Sequence, residues 1–197
     1  MPTNRCILPF FLLASMPMTA SGTGVAVAQP ITSPVSIGSL EITDGPALRD
    51  LAAASKVLDV NSRYAYLLWC RDFAGTSVVA RSQGRVVGFV TGYRRPDEPG
   101  TLMVWQVAVD AAARGLGVAG RMLDALVDAV PDVEHLETTI TPGNSGSVAL
   151  FTGFARRRAA AVSRTELFGS DLLGEEHEPE LLFRIGPIHS RRQCSDQ

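Results

Sequence analysis

The stretch "VAVDAAARGLGVAGRML" (107–123) places Gly115, Gly117 and Gly120 between an apolar run and a segment of helical apolar spacing. Strand, glycine loop, helix is a general way to hold a phosphate. The first N–H groups of a helix lack partners and carry the positive end of its dipole. The residues around the glycines decide which phosphate. A nucleotide-binding loop needs a lysine after its last glycine, and the only lysine in the chain is Lys56. That reading fails. Gly115-Leu-Gly117-Val-Ala-Gly120 does fit the G-x-G-x-x-G pattern of dinucleotide folds. That pattern, however, opens the first βαβ unit of a domain. Here four strand-like runs precede it, and Arg114 is left without a part.

Upstream, "SIGSLEIT" (36–43) alternates as a strand, and "DGPALRDLAAAS" (44–55) reads as a helix with Asp44 as its cap and Pro46 early. A second helix spans 61–74, capped by Asn61 or Ser62. Two strands flank "SQGR" within 76–96, a hairpin signal. The nearly unbroken apolar run 101–109 suits a central strand covered on both faces. After the glycines, Ala119, Met122, Leu123, Leu126, Val127 and Val130 form one helical stripe that Pro131 closes. A strand (132–141), a loop with a short helix (142–157), a strand (159–167), an acidic loop and a last strand (180–187) complete the chain. Strands with helices on both sides of a mixed central sheet make one α/β (α+β) domain.

The bulk numbers agree. The chain has 197 residues, 46% hydrophobic and 19% charged, so it can bury a sizeable core without staples. A net charge of −2 argues against nucleic acid as a partner, which needs a clustered basic surface. Cys6, Cys70 and Cys194 form no C-x-x-C pair, and no two histidines stand at i,i+4, so no metal site is assigned. Cys70, in "YLLWC", is expected to be a small buried hydrophobe.

Including Arg114 resolves the glycine loop. "RGLGVA" (114–119), directly after "VAV", fits [Q/R]-x-x-G-x-[G/A] and resembles the coenzyme A pyrophosphate loop of the GNAT acetyltransferases. The order of elements over roughly 35–188 resembles that superfamily too. Four ordered blocks, "LDVNSRYAYLLWCRDFAGTSVVA", "GYRRPDEPGTLMVWQVAVD", "HLETTITPGNSGSVALF" and "GEEHEPELLFRIGP", are similar to the diaminobutyrate acetyltransferase family. The resemblance implies a GNAT fold with about seven strands and about four flanking helices. It also implies transfer of acetyl from acetyl-CoA to the 4-amino group of L-2,4-diaminobutyrate, a step towards ectoine, by a homodimer in the cytoplasm.

By position, the resemblance puts the backbone of Val107 and Val109 beside the thioester. It puts Arg114, Gly115, Leu116, Gly117, Val118 and Ala119 at the pyrophosphate, with Asn144, Ser147 and Phe151 along the coenzyme. Asp59, Trp105 and Glu180 would line the amino-acid site, with Tyr64, Tyr66 and His177 nearby. Leu136, Thr138 and Ile140 alternate with Glu137 and Thr139, which leaves Glu137 facing away from the apolar side and makes it a candidate base. Many GNAT enzymes carry a tyrosine as acid for the departing thiolate. Here Leu150-Phe151 follows Asn144, so that tyrosine is absent and no acid is assigned; a thiol with a pKa near ~8.5 does not demand one.

Residues 1–34 contain an apolar run from Cys6 to Ala14 and an A-x-A at 26–28, the outline of a secretory signal. The run is too short to span a bilayer. Acetyl-CoA is cytoplasmic, so these residues are read as an extension outside the domain, with Val35 as an alternative start and 189–197 as a tail. Rival readings are acetylation of another amine such as ornithine or putrescine, a non-catalytic coenzyme A sensor, and an exported interaction protein. The last gives no account of the glycine loop.

Overall fold

The computed structural model describes residues 31, 33–174 and 177–188, so the expectations for the leader and the tail lie outside the described residues. Its strands are β1 (Val35–Gly38), β2 (Val78–Ser82), β3 (Arg85–Arg94), β4 (Thr101–Val109), β5 (His135–Ile140), β6 (Ala161–Phe168) and β7 (Glu180–Gly186). The helices are α1 (Gly45–Ser55), α2 (Arg63–Asp72), α3 (Val118–Ala129), α4 (Ser145–Arg157) and the single turn α5 (Ser170–Leu173). The strands form one sheet in the order β1-β2-β3-β4-β5-β7-β6. Neighbours are antiparallel except β4 and β5, which run parallel and are connected through α3.

Local chemistry explains these elements. Gln83 and Gly84 both take positive φ, +50° and +76°, as a two-residue turn matched to strand twist requires. Ser62 caps α2 by accepting the Ala65 N–H at 3.2 Å. Val118, Met122, Leu123, Leu126 and Val127 of α3 are buried, each contributing about 1.5–3 kcal/mol of hydrophobic stabilisation. They pack with Leu102, Val104 and Phe154 in the larger core. A smaller core, with Leu48, Ala52, Tyr66 and Phe89, joins α1 and α2 to the other face of the sheet. Cys70 lies buried there, and burial, then the nearby Asp44 carboxylate, pushes its thiol up to about 11.

Three expectations change. The first strand ends at Gly38 rather than at 43, because Leu40 is drawn into the smaller core. Asp44 does not cap α1 with its side chain; its Oδ2 accepts the Glu41 N–H at 2.7 Å and pairs with Arg81 at 2.7 Å. The helix after Asn144 is 13 residues, not short. Gly146 and Gly153 lower its propensity, and burial of Phe151, Phe154 and Ala155 offsets that loss.

One ion-pair cluster fixes α4 against α3. The buried Arg158 guanidinium meets Asp124 at 2.9 Å and Asp128 at 2.7 Å, and Arg157 adds a second contact to Asp124 at 3.0 Å. Burial alone lowers the Arg158 pKa, but hydrogen bonds to Asp128 and Asp124 raise it overall.

Candidate active site

The site begins with a defect in β4. Thr91 of β3 pairs with Gln106, but the next residue, Gly92, pairs with Val104, so Trp105 bulges out of register. The bulge turns Trp105 and Gln106 to the same side. Trp105 meets Trp69 edge-on with ring centroids 4.7 Å apart, and Gln106 meets Tyr66. On the other edge of β4, parallel pairing covers only Thr101–Met103 with His135–Glu137. Beyond that point β4 and β5 diverge. A cavity of about 160 Å³ fills the opening, bordered by Trp105, Gln106 and Val107 on one side and Thr138–Thr141 on the other.

A second cleft, of about 540 Å³, lies between the N-termini of α3 and α4. Gly115 and Gly117 take φ of +78° and +69°, and no atom lies within 4 Å of where either would carry a Cβ. Side chains there would be strained and would fill the space that a ligand backbone approaches. The first turn of α3 borders this cleft. Arg114, Val118, Ala119 and Val109 border the cleft with Ala149 and Leu150, and Leu116 is exposed beside it. The Val118 side chain itself is buried core, so its backbone is what the cleft sees. A diphosphate with a long chain running towards the β4–β5 opening fits this arrangement.

Asp59, Trp105, Val107, Asn144, Ser147, Phe151 and Glu180 all border the cavity. The Asn144 Oδ1 is occupied as the α4 cap, accepting the Ser147 N–H at 3.0 Å. Glu180 is the distinctive group: its Oε2 is buried and, among the described residues, has no hydrogen-bond partner. A buried carboxylate oxygen left unpaired is costly unless something else meets it.

The family model for the acetyltransferase (GNAT) family matches residues 46–154. An L-2,4-diaminobutyric acid acetyltransferase from Streptomyces avermitilis is 55% identical over 153 residues, 75% of this chain and 86% of that one. One from Halomonas elongata is 43% identical over 168 residues, 84% of this chain and 88% of that one. Among solved structures, the diaminobutyrate acetyltransferase of Paenibacillus lautus, in complex with its substrate L-2,4-diaminobutyric acid and coenzyme A, superposes with a TM-score of 0.76. It is 36% identical and covers 80% of this chain and 98% of that one. The chain belongs to the diaminobutyrate acetyltransferase family, within the GNAT fold.

Not every residue expected of a diaminobutyrate acetyltransferase site reaches the cavity. Tyr66 is buried beneath it, and Tyr64 is 69% exposed and does not border it. His177 is exposed, its backbone N–H bonded to the Gly174 carbonyl. Glu137 lies away from the cavity and is 2% exposed. Its Oε1 accepts from Arg184 at 2.5 Å and its Oε2 from Arg95 at 3.2 Å. Arg184 lies directly across the β5–β7 pair and also reaches Glu98 at 2.8 Å. The Arg184 guanidinium, then the Thr101 hydroxyl, hold the Glu98 carboxyl below its ordinary range. A base needs a lone pair within reach of the substrate, and Glu137, paired with two guanidinium groups, does not border the cavity. Gln106 and Thr139, by contrast, border the cavity and were not among the expected site residues. The signal for Gln106 was a lone amide inside an apolar run.

Proposed function

We propose that this diaminobutyrate acetyltransferase moves acetyl from acetyl-CoA to the 4-nitrogen of L-2,4-diaminobutyrate. The unpartnered Glu180 oxygen carries the reading: it is an anionic acceptor in a cavity that opens onto the β4–β5 divergence. An ammonium supplies what that oxygen lacks. Asp59 adds a second carboxylate at the same cavity. Two anionic groups suit a substrate with two amines, and Thr139 and Thr141 supply hydroxyl donors suited to its carboxylate.

Acetyl-CoA, when bound, supplies the acetyl group and the thiolate leaving group. The cleft at the α3 N-terminus holds the diphosphate through backbone N–H groups, with Arg114 beside it. The β4 backbone near Val107, unpaired towards β5, meets the thioester oxygen as negative charge develops on it. Attack requires a neutral amine, and Asp59 and Glu180 are the carboxylates at the cavity placed to receive its proton. The thiolate departs without an assigned acid, since Phe151 brings no hydroxyl to α4.

Acetyl-CoA is made in the cytoplasm, and the enzyme is placed there. No helix among the described residues is long and apolar enough to cross a membrane. A mature chain beginning at Gln29 in a culture or periplasmic fraction contradicts that location. The working unit is read as a homodimer from the family resemblance, and sedimentation equilibrium measures it.

Steady-state kinetics of Glu180→Gln test the function. The variant is expected to raise KM for diaminobutyrate far more than KM for acetyl-CoA. Equal effects on both would assign Glu180 to structure and leave the amine unplaced.

A further inference from the structure

Gln106 lies at the bulge where β4 diverges from β5, and the residue is 5% exposed. Its Nε2 donates to the Asp59 backbone carbonyl at 2.9 Å. A carbonyl only accepts, so the amide is oriented: nitrogen to Asp59, oxygen away. The oxygen then accepts the Tyr66 hydroxyl at 3.1 Å, with Tyr66 1% exposed on α2. The main chain of the same residue is held as well, its carbonyl accepting the Thr91 hydroxyl at 3.5 Å.

Asp59 sits on the loop between α1 and α2. Among the described residues, Gln106 supplies the hydrogen bond that ties residues 56–62 to the sheet. The loop's other polar contacts are local, as where Ser55 Oγ accepts the Val57 and Leu58 N–H groups. Leu58 packs against the smaller core, and the Gln106 amide adds the polar tie that fixes the Asp59 backbone to β4. That amide belongs to the strand whose backbone borders the acetyl-transfer opening.

We propose that Gln106 is a positioning residue that sets the length of amine the site accepts. Building on the diaminobutyrate reading, it holds the Asp59 carboxylate at a fixed reach from the β4–β5 opening, and Tyr66 orients it. An amine with one more methylene, such as ornithine, then places its terminal nitrogen out of register with the thioester. Freeing the loop lets Asp59 retreat and weakens that discrimination. A pocket distinguishes one methylene by about 10–200-fold, so even partial loss is measurable.

The test is steady-state kinetics of the full chain with diaminobutyrate and ornithine, comparing wild type with Gln106→Met and with the double variant Tyr66→Phe/Gln106→Met. The double variant removes the phenol along with the amide, so no buried hydroxyl is stranded, and the Asp59 carbonyl loses its donor in both variants. Both variants are expected to raise KM for diaminobutyrate about tenfold. They should also lower the diaminobutyrate-to-ornithine ratio of kcat/KM and leave KM for acetyl-CoA unchanged. An unchanged ratio in the double variant, or loss of kcat with both KM values unmoved, overturns the inference while wild-type turnover upholds the substrate reading. No thiol release by wild type with diaminobutyrate overturns the substrate reading and this inference with it.

Discussion

Two glutamates on adjoining strands take opposite parts, and their oxygens decide which. Both Glu137 oxygens meet guanidinium groups, whereas Glu180 keeps one buried oxygen without a partner among the described residues. Glu137→Gln should therefore cost stability rather than catalysis. Glu137 is buried but its two arginine partners are about a third exposed, so the loss is smaller than that of a fully buried pair, and urea denaturation reads it directly. Both KM values should stay near wild type. Glu98, held by Arg184 and Thr101, gives a pH signature. Its folded pKa lies below the ordinary 4.5, so its contribution is complete above that value and is lost as pH falls through the depressed one. Melting temperatures of wild type and Glu98→Gln should differ at neutral pH and converge in acid. Alternation placed Glu137 and Thr139 opposite Leu136 and Ile140 correctly. What lay across from Glu137 was not legible, because Arg184 arrives from a strand distant in sequence and local periodicity carries no cross-strand register.

At the scale of elements, the glycine loop and β4 were the most legible parts. The run 101–109 is a strand over those residues, and the positive φ of Gly115 and Gly117 meets the conformational need their spacing implied. Gly117→Val should abolish acetyl-CoA binding in a titration. A β-branched residue at φ +69° is strained, and the position borders the cleft. Wild-type affinity in that variant would remove the coenzyme from the loop. The bulge at Trp105 was hidden, because a register shift depends on how β3 and β4 pair and not on either strand alone. Its trace in the sequence is the Trp105-Gln106 pair, two side chains that a regular strand would send to opposite faces. The α4 helix was underestimated for a similar reason: its glycines argue locally against it, and its buried Phe151 and Phe154 argue for it only once a sheet is present.

Over the whole molecule, the succession of strands and helices was readable, but the order of strands in the sheet was not. The last strand, β7, inserts between β5 and β6. That insertion sets Glu180 beside the β5 end of the cavity, and nothing in the local composition of 180–186 announces it. The site is thus assembled from the α1–α2 loop, a bulged β4, the end of β5, the start of α4 and a strand that closes the sheet from the C-terminal side. The central claim is that this assembly selects one small diamine carboxylate and acetylates one of its nitrogens. The most direct measurement is free-thiol release from acetyl-CoA with L-2,4-diaminobutyrate, ornithine and putrescine in parallel, with the acetylated nitrogen assigned by NMR. The account predicts strong turnover of diaminobutyrate, weak turnover of the others, and acetyl on the 4-nitrogen. Preferred turnover of ornithine or putrescine, or acetyl on the 2-nitrogen, would contradict it.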